Sequence, residues 1–262
     1  MIPQASITEW SNFVPWQSNE QVEQDLVICR ALVEIFNDDF LAAHLAFRGG
    51  TALHKLYLHP QPRYSEDLDF VQIKAEPIGK VLDHLRDALS FLGAGKVEAS
   101  GQMATMKFRF ESEIPPVVPL RLKIETNCRE HFSELGWEKS HFNVSSTWFS
   151  GECDLTTYRL EELLGTKIRA LYQRKKGRDL YDLYKALTKG DIDTAAVIKC
   201  YQRYMVFSVG NAPSQKEFLL NMDDKMQDDY FIGDIAGLIR PDEKYDQREA
   251  YELVKEHLIS KM

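Results

Sequence analysis

Apolar positions fall into two rhythms along the chain. Val22, Leu26, Val33, Phe36 and Phe40 recur on one helical face with charges between them, and predict a helix over 20–46. Gly49-Gly50 interrupts that rhythm. Thr51 to Tyr57 predicts a short second helix, ended by Pro60 and Pro62. Leu68 to Ile73 alternates as a strand, and Pro77 to Leu92 predicts a helix with proline near its first turn and Gly93 beyond its end. Met103 to Phe110 and Val117 to Thr126 read as strands. Residues 127–157 carry little pattern, with one further strand expected at Phe142 to Ser146. From Arg159 onward the period is helical, with helices expected over 159–175, 178–188, 191–206, 213–222 and 246–259. The shift divides the chain into an α/β (α+β) half, residues 1–155, and an all-helical half, residues 156–262. No internal repeat or low-complexity stretch is present.

Composition narrows the class. The 262 residues are 44% hydrophobic and 27% charged, enough for a full core and ordinary for a soluble protein. No apolar run approaches the ~20 residues that cross a bilayer, and the N-terminus has no basic region followed by an apolar stretch, so the expected location is the cytoplasm. Cys29, Cys128, Cys153 and Cys200 include no C-x-x-C pair and no zinc-site spacing to histidine, as expected of reduced thiols. The net charge of −8 argues against a general DNA binder, though it leaves room for a local basic site.

The sharpest chemical feature is Tyr64-Ser65-Glu66-Asp67-Leu68-Asp69-Phe70. On a strand, Asp67 and Asp69 project from one face and Leu68 and Phe70 from the other. Adjacent carboxylates repel unless a cation sits between them. Magnesium suits such a pair, because it takes hard oxygen ligands from one or two carboxylates and completes its shell with water and phosphate. A D-x-D alone is equally met on a solvated edge strand. Upstream, however, Gly49-Gly50-Thr51 opens the short helix. Its glycines would let phosphate approach the backbone, with the Thr51 hydroxyl and the Lys55 charge close by. The plainer alternative is a turn with Thr51 as N-cap.

Together, Arg48-Gly49-Gly50-Thr51-Ala52-Leu53 and Tyr64-Ser65-Glu66-Asp67-Leu68-Asp69 resemble the AbiEii/AbiGii toxin family of nucleotidyltransferases, found in toxin–antitoxin and abortive-infection systems. Leu160-Glu161-Glu162-Leu163, Lys167-Ile168-Arg169-Ala170-Leu171 and Arg178-Asp179-Leu180-Tyr181-Asp182-Leu183-Tyr184 resemble the family's C-terminal signature, so the likeness spans about residues 45–190. It implies a DNA polymerase β-like nucleotidyltransferase core, a mixed sheet with flanking helices, joined to a helical domain. It further implies magnesium on Asp67 and Asp69, a nucleoside triphosphate near Gly49, Gly50 and Ser65, and functional roles for Lys167 and Asp182, with Asp179 as the competitor for the latter. The activity implied is nucleotide transfer to the 3′ end of tRNA, and the setting implies a cognate antitoxin.

The helical half can be read independently. Lys167, Arg169, Arg174, Lys175, Lys176 and Arg178 form a basic run without an acid, either an RNA- or triphosphate-facing track or favourable charge at a helix C-terminus. Tyr172, Tyr181 and Tyr184 are more often core than base-stacking residues. On one straight helix Lys167 and Asp182 would stand ~22 Å apart, so a shared site requires a helix–turn–helix broken at Gly177. Glu125 alternates with Lys123 and Arg121 on one strand face and is the candidate third acid, as a metal ligand or a proton acceptor, with Glu111 in reserve. A salt-bridged strand acid is the alternative for Glu125. Three rivals remain: a small-molecule or protein-hydroxyl acceptor, phosphoryl transfer, and a non-catalytic nucleotide- or RNA-binding module.

Overall fold

The structure is a computed structural model that describes residues 2–262 and divides into two units. The first unit comprises the chain up to Phe132 together with Trp137–Tyr158. It opens with α1 (Gln4–Trp10) and α2 (Asn19–Phe36), whose N-cap Ser18 accepts a hydrogen bond from the Gln21 amide. α3 (Asp39–His44) is capped by Asp38 through the Leu41 amide and leads into β1 (Leu45–Arg48). α4 (Gly49–Ala52) runs on into a π-helical turn, Leu53–Tyr57. Then follow β2 (Asp67–Gln72), α5 (Gly79–Ala88), β3 (Lys96–Ser100), β4 (Met103–Glu111), β5 (Pro119–Asn127), β6 (Trp137–Ser145) and β7 (Ser150–Tyr158).

The seven strands make one mixed sheet in the order β3-β4-β5-β2-β1-β7-β6. The central strand β2 pairs antiparallel with β1 and parallel with β5. α2 supplies much of the core: Leu26, Val27, Ile28, Leu32 and Ile35 are fully buried, each worth about 1.5–3 kcal/mol of apolar transfer. Phe36 of α2 lies 6.0 Å from Phe70 of β2, and Phe47 of β1 lies 5.5 Å from the same ring. α2 also buries Asp25, which a buried carboxylate tolerates only with partners. Lys55 Nζ is 2.6 Å from it, and the Trp10 indole donates to it at 3.0 Å.

The second unit comprises Ser133–Gly136 and Arg159–Met262. It contains α6 (Leu160–Gln173), α7 (Gly177–Thr188), α8 (Thr194–Val209), α9 (Gln215–Lys225), α10 (Asp229–Gly233) and α11 (Gln247–His257). Glu162 of α6 is completely buried and organises this unit. Its carboxylate accepts hydrogen bonds from the Ser133 hydroxyl at 2.6 Å, the Glu134 amide at 2.7 Å, the Leu135 amide at 3.0 Å and the Tyr204 hydroxyl at 2.7 Å. Lys225 of α9, also buried, donates to the Leu171 and Tyr172 carbonyls at the end of α6, where helix carbonyls lack internal donors.

Where the elements differ from expectation, the reasons are local. The helix expected over 20–46 ends at Phe36. Asp38 starts a new helix, and Leu45–Arg48 is a strand, because its three buried apolar residues are too few to separate the two periods. The patternless stretch 127–157 holds the β6–β7 hairpin, whose β6 is mostly polar and solvent-facing. The same exposure hid the edge strand β3. Among the described residues, no helix is long and apolar enough to cross a membrane. The four cysteines are unpaired, and burial pushes the Cys29 thiol up to about 12.

Candidate active site

β2 aims its alternation as the sequence requires. Leu68 and Phe70 are buried in the core, while Asp67 and Asp69 stay half-buried on the opposite face. The neighbouring strands extend that face, because residues paired across a ladder project together. In the parallel β2–β5 register, Asp67 stands opposite Lys123 and Asp69 opposite Glu125. In the antiparallel β1–β2 register, Asp69 stands opposite Arg48. Three acids and two cations thus meet on three adjacent strands.

The Lys123 ammonium lies 2.8 Å from Asp67 Oδ2 and 3.1 Å from Glu125 Oε2. Burial disfavours its charge, but its hydrogen bonds to Asp67 and Glu125 outweigh that and hold its pKa above the ordinary lysine value. Arg48 also reaches Glu130, with its Nη1 2.7 Å from that carboxylate, and its guanidinium lies 5.5 Å from the centre of the Tyr158 ring. Lys123 was visible in the sequence as a face-mate of Glu125. Its bridging position depends on the β2–β5 register, a long-range fact that no local pattern carries.

Gly49 has a specific spatial task. Its φ is +80°, and a Cβ built there would lie 2.2 Å from Asp69 Oδ2 and 2.8 Å from the Asp69 Cβ and Cγ. The glycine therefore leaves the space that the Asp69 carboxylate fills. Gly50 follows as the second residue of α4, half-buried. Gly49→Ala is expected to displace Asp69 and strain the backbone by about 1–3 kcal/mol. Transfer activity should fall far more than the unfolding temperature, which parallel activity assays and thermal melts would establish; full activity in the alanine variant would sink this reading of the glycine.

Thr51 and Ser65 connect this turn to the start of β2. The buried Thr51 hydroxyl donates to the Asp67 carbonyl at 2.5 Å, and its oxygen is 2.8 Å from the Ser65 hydroxyl. Having given its only proton to Asp67, Thr51 accepts from Ser65. Thr51 is thereby engaged inside the protein as a brace for Asp67. Lys55 lies elsewhere than expected. Its ammonium is buried against Asp25, whose charge outweighs desolvation and holds the lysine pKa above its ordinary value. Glu111 sits four residues along β4 from Lys107, the partner of Lys123, so it stands roughly 13 Å from that point at strand rise.

The second unit gathers its own charged residues. α6 ends at Gln173 and α7 begins at Gly177, and the break brings Lys167 within 2.8 Å of Asp182 and 3.1 Å of Asp179. Both aspartates are fully buried. Arg174 closes the cluster with a two-point hold on Asp179, at 2.6 and 2.8 Å. Burial alone would raise the Asp179 pKa, but Lys167 and Arg174 prevail and hold it below the usual aspartate range. Gly177 is required for proximity rather than for an unusual dihedral angle, since a Cβ there would lie 2.1 Å from the Phe231 carbonyl oxygen.

The remaining cations of the basic run also have partners within the unit. Lys175 pairs with Asp228 at 2.9 Å, and Lys176 and Arg178 pair with Asp234 at 3.3 and 3.4 Å. The Arg169 guanidinium lies 5.2 Å from the centre of the Tyr204 ring. Sequence reading could not see these acids, which come from fifty or more residues downstream. Tyr181 is fully buried, Tyr172 packs 5.3 Å from Phe218, and the Tyr184 hydroxyl donates to Glu249.

The Asp67–Asp69–Glu125 face fits a hard divalent cation in its chemistry. Two of its carboxylates already converge on a positive charge, and the third fills a space kept clear by Gly49. Among the described residues, no three His, Cys, Asp or Glu side chains are arranged to ligate one ion as they stand. Lys123 lies where Asp67 and Glu125 would otherwise face each other.

Solved structures share this fold. MenT4, a nucleotidyltransferase toxin from Mycobacterium tuberculosis, superposes with a TM-score of 0.68 at 17% identity, covering 100% of this chain and 91% of its own. JHP933 from Helicobacter pylori superposes at 0.58 with 19% identity, covering 92% and 90%. No curated protein matches the sequence. The fold is that of the nucleotidyltransferase class. Residues 30–253 match the family of the nucleotidyl transferase AbiEii toxin of type IV toxin–antitoxin systems, and the chain belongs to that family.

Proposed function

We propose that this protein is a magnesium-dependent toxin that transfers a nucleoside monophosphate from a nucleoside triphosphate to the 3′ end of tRNA and so stops translation. The observation that carries the reading is the in-register face of Asp67, Asp69, Lys123 and Glu125, which gathers three carboxylates around one ammonium. Magnesium on Asp67 and Asp69 would supply positive charge to the triphosphate. The acceptor hydroxyl oxygen forms a bond to the α-phosphorus, the α–β phosphoanhydride bond breaks, and pyrophosphate leaves. Glu125 is the proposed third acid, as a metal ligand or as the acceptor of the hydroxyl proton. Gly49 gives the Asp69 carboxylate its space beside the triphosphate, Gly50 gives the phosphates a backbone to approach, and Thr51 and Ser65 fix the backbone of Asp67. For Lys167, already held by two carboxylates, the role proposed is to join α6 to α7, with Asp182 and Asp179 as its anchors. A cytoplasmic setting and a cognate antitoxin complete the proposal, supported by the type IV family.

One observation favours a second acceptor. The cations Arg174, Lys175, Lys176 and Arg178 are paired with acids, which weakens their pull on an RNA backbone and leaves a small-molecule or protein hydroxyl as the alternative. Incubation with magnesium, total bacterial tRNA and each triphosphate radiolabelled at the α-phosphate separates the two. Label in tRNA supports the first reading and names the nucleotide. Label in protein or a small molecule supports the second, and no label in any acceptor overturns both.

A further inference from the structure

We propose that Lys123 is a resident counter-cation of the metal site, which keeps the site from loading metal until a triphosphate arrives. This inference rests on the reading of Asp67 as a metal ligand. The Lys123 ammonium is bound to Asp67 Oδ2 at 2.8 Å and to Glu125 Oε2 at 3.1 Å, so it neutralises the repulsion that a metal would otherwise relieve. Magnesium requires its oxygen ligands at about 2.0–2.1 Å. An ammonium and a divalent ion cannot both claim Asp67 Oδ2 without strong like-charge repulsion. Metal entry therefore has to move Lys123.

The side chain is built for such a move. A lysine is a point charge on a flexible four-carbon stem, unlike the planar fork of arginine. Lys123 is only partly buried, on a face that it shares with Asp67, Asp69 and Glu125. It is also unlike the other buried lysines of the chain. Lys55 is enclosed with Asp25, and Lys167 with Asp179 and Asp182, so neither has a path of release to an incoming anion. A polyphosphate brought to this face carries the negative charge that would receive the displaced ammonium. Metal and triphosphate then bind cooperatively, because each removes a cost that the other faces alone.

The coupling is read by titrating Mn2+ into the full-length protein, alone and with inorganic tripolyphosphate, by electron paramagnetic resonance of the free ion. Lys123→Met should bind Mn2+ alone about ten-fold more tightly than the wild type, and tripolyphosphate should improve that affinity much less than it does in the wild type. Lys123→Gln should move in the same direction and stands in if the methionine variant does not fold. Lys123→Arg, which keeps the charge, should not bind more tightly than the wild type. Unchanged or weaker Mn2+ binding in the Met and Gln variants overturns the inference while leaving the metal site intact. Asp67→Asn serves as the separate control: if it binds Mn2+ as the wild type does, the metal reading fails and this inference fails with it.

Discussion

Asp67→Asn is expected to lower nucleotide transfer by at least about a thousand-fold while leaving the protein folded. The substitution keeps the shape of the side chain and removes the charge that faces Lys123 and, in the proposed mechanism, would hold the metal. A carboxylate that holds a catalytic metal contributes several kcal/mol to the transition state, and each 1.4 kcal/mol is a factor of ten in rate. The structural loss is small by comparison. Asp67 is partly exposed, and its pair with Lys123 is worth about 1 kcal/mol or less at such a position. Label incorporation and thermal unfolding measured on the same preparation separate the two effects. A folded, fully active Asp67→Asn protein would remove the acidic face from the mechanism.

Lys167→Met is expected to act in the opposite way, on stability first. Lys167 is the shared partner of Asp179 and Asp182, both fully buried, and removing one member of a buried ionic group costs about 3–5 kcal/mol. Arg174 still holds Asp179 in that variant. The pH dependence has a definite sign. The Asp179 pKa is held below its unfolded value, so its contribution is present above about pH 4 and is lost as pH falls through the lower folded value. In the methionine variant, protonation relieves the acids that have lost the ammonium. The stability gap between wild type and variant should therefore be widest near neutrality and shrink towards acid. Urea unfolding at several pH values measures it, and a gap that stays below about 1 kcal/mol at pH 7 would show that the cluster does not hold α6 to α7.

Much of the site was legible because strands write their faces at period two. Asp67 and Asp69 alternate with Leu68 and Phe70, and the structure keeps that alternation. The break between α6 and α7 was legible at Gly177 once the resemblance had implied a shared role for Lys167 and Asp182, since a straight helix cannot bring the two together. Other parts depend on partners far along the chain. The neutral state of the basic run needs Asp228 and Asp234, the burial of Lys55 needs Asp25, and the bridge at Lys123 needs the pairing of β2 with β5. The start of β1 was misread as helix because three apolar residues satisfy either period, and only the second half of β6 was expected because its first half is largely polar.

The four residues Ser133–Gly136 lie between β5 and β6 in the chain yet belong to the helical unit, where three of their groups hydrogen-bond to Glu162. No single scission can therefore divide this protein into its two units. A fragment beginning at Arg159 would keep the buried Glu162 carboxylate but retain only the Tyr204 hydroxyl of its four donors. Conversely, a protease that cuts between Tyr158 and Arg159 leaves the amino-terminal piece threaded into the carboxy-terminal one, and the nicked halves should co-migrate under native conditions. The chain order of the two units is interleaved, so neither can be exchanged as a cassette without carrying a segment of the other.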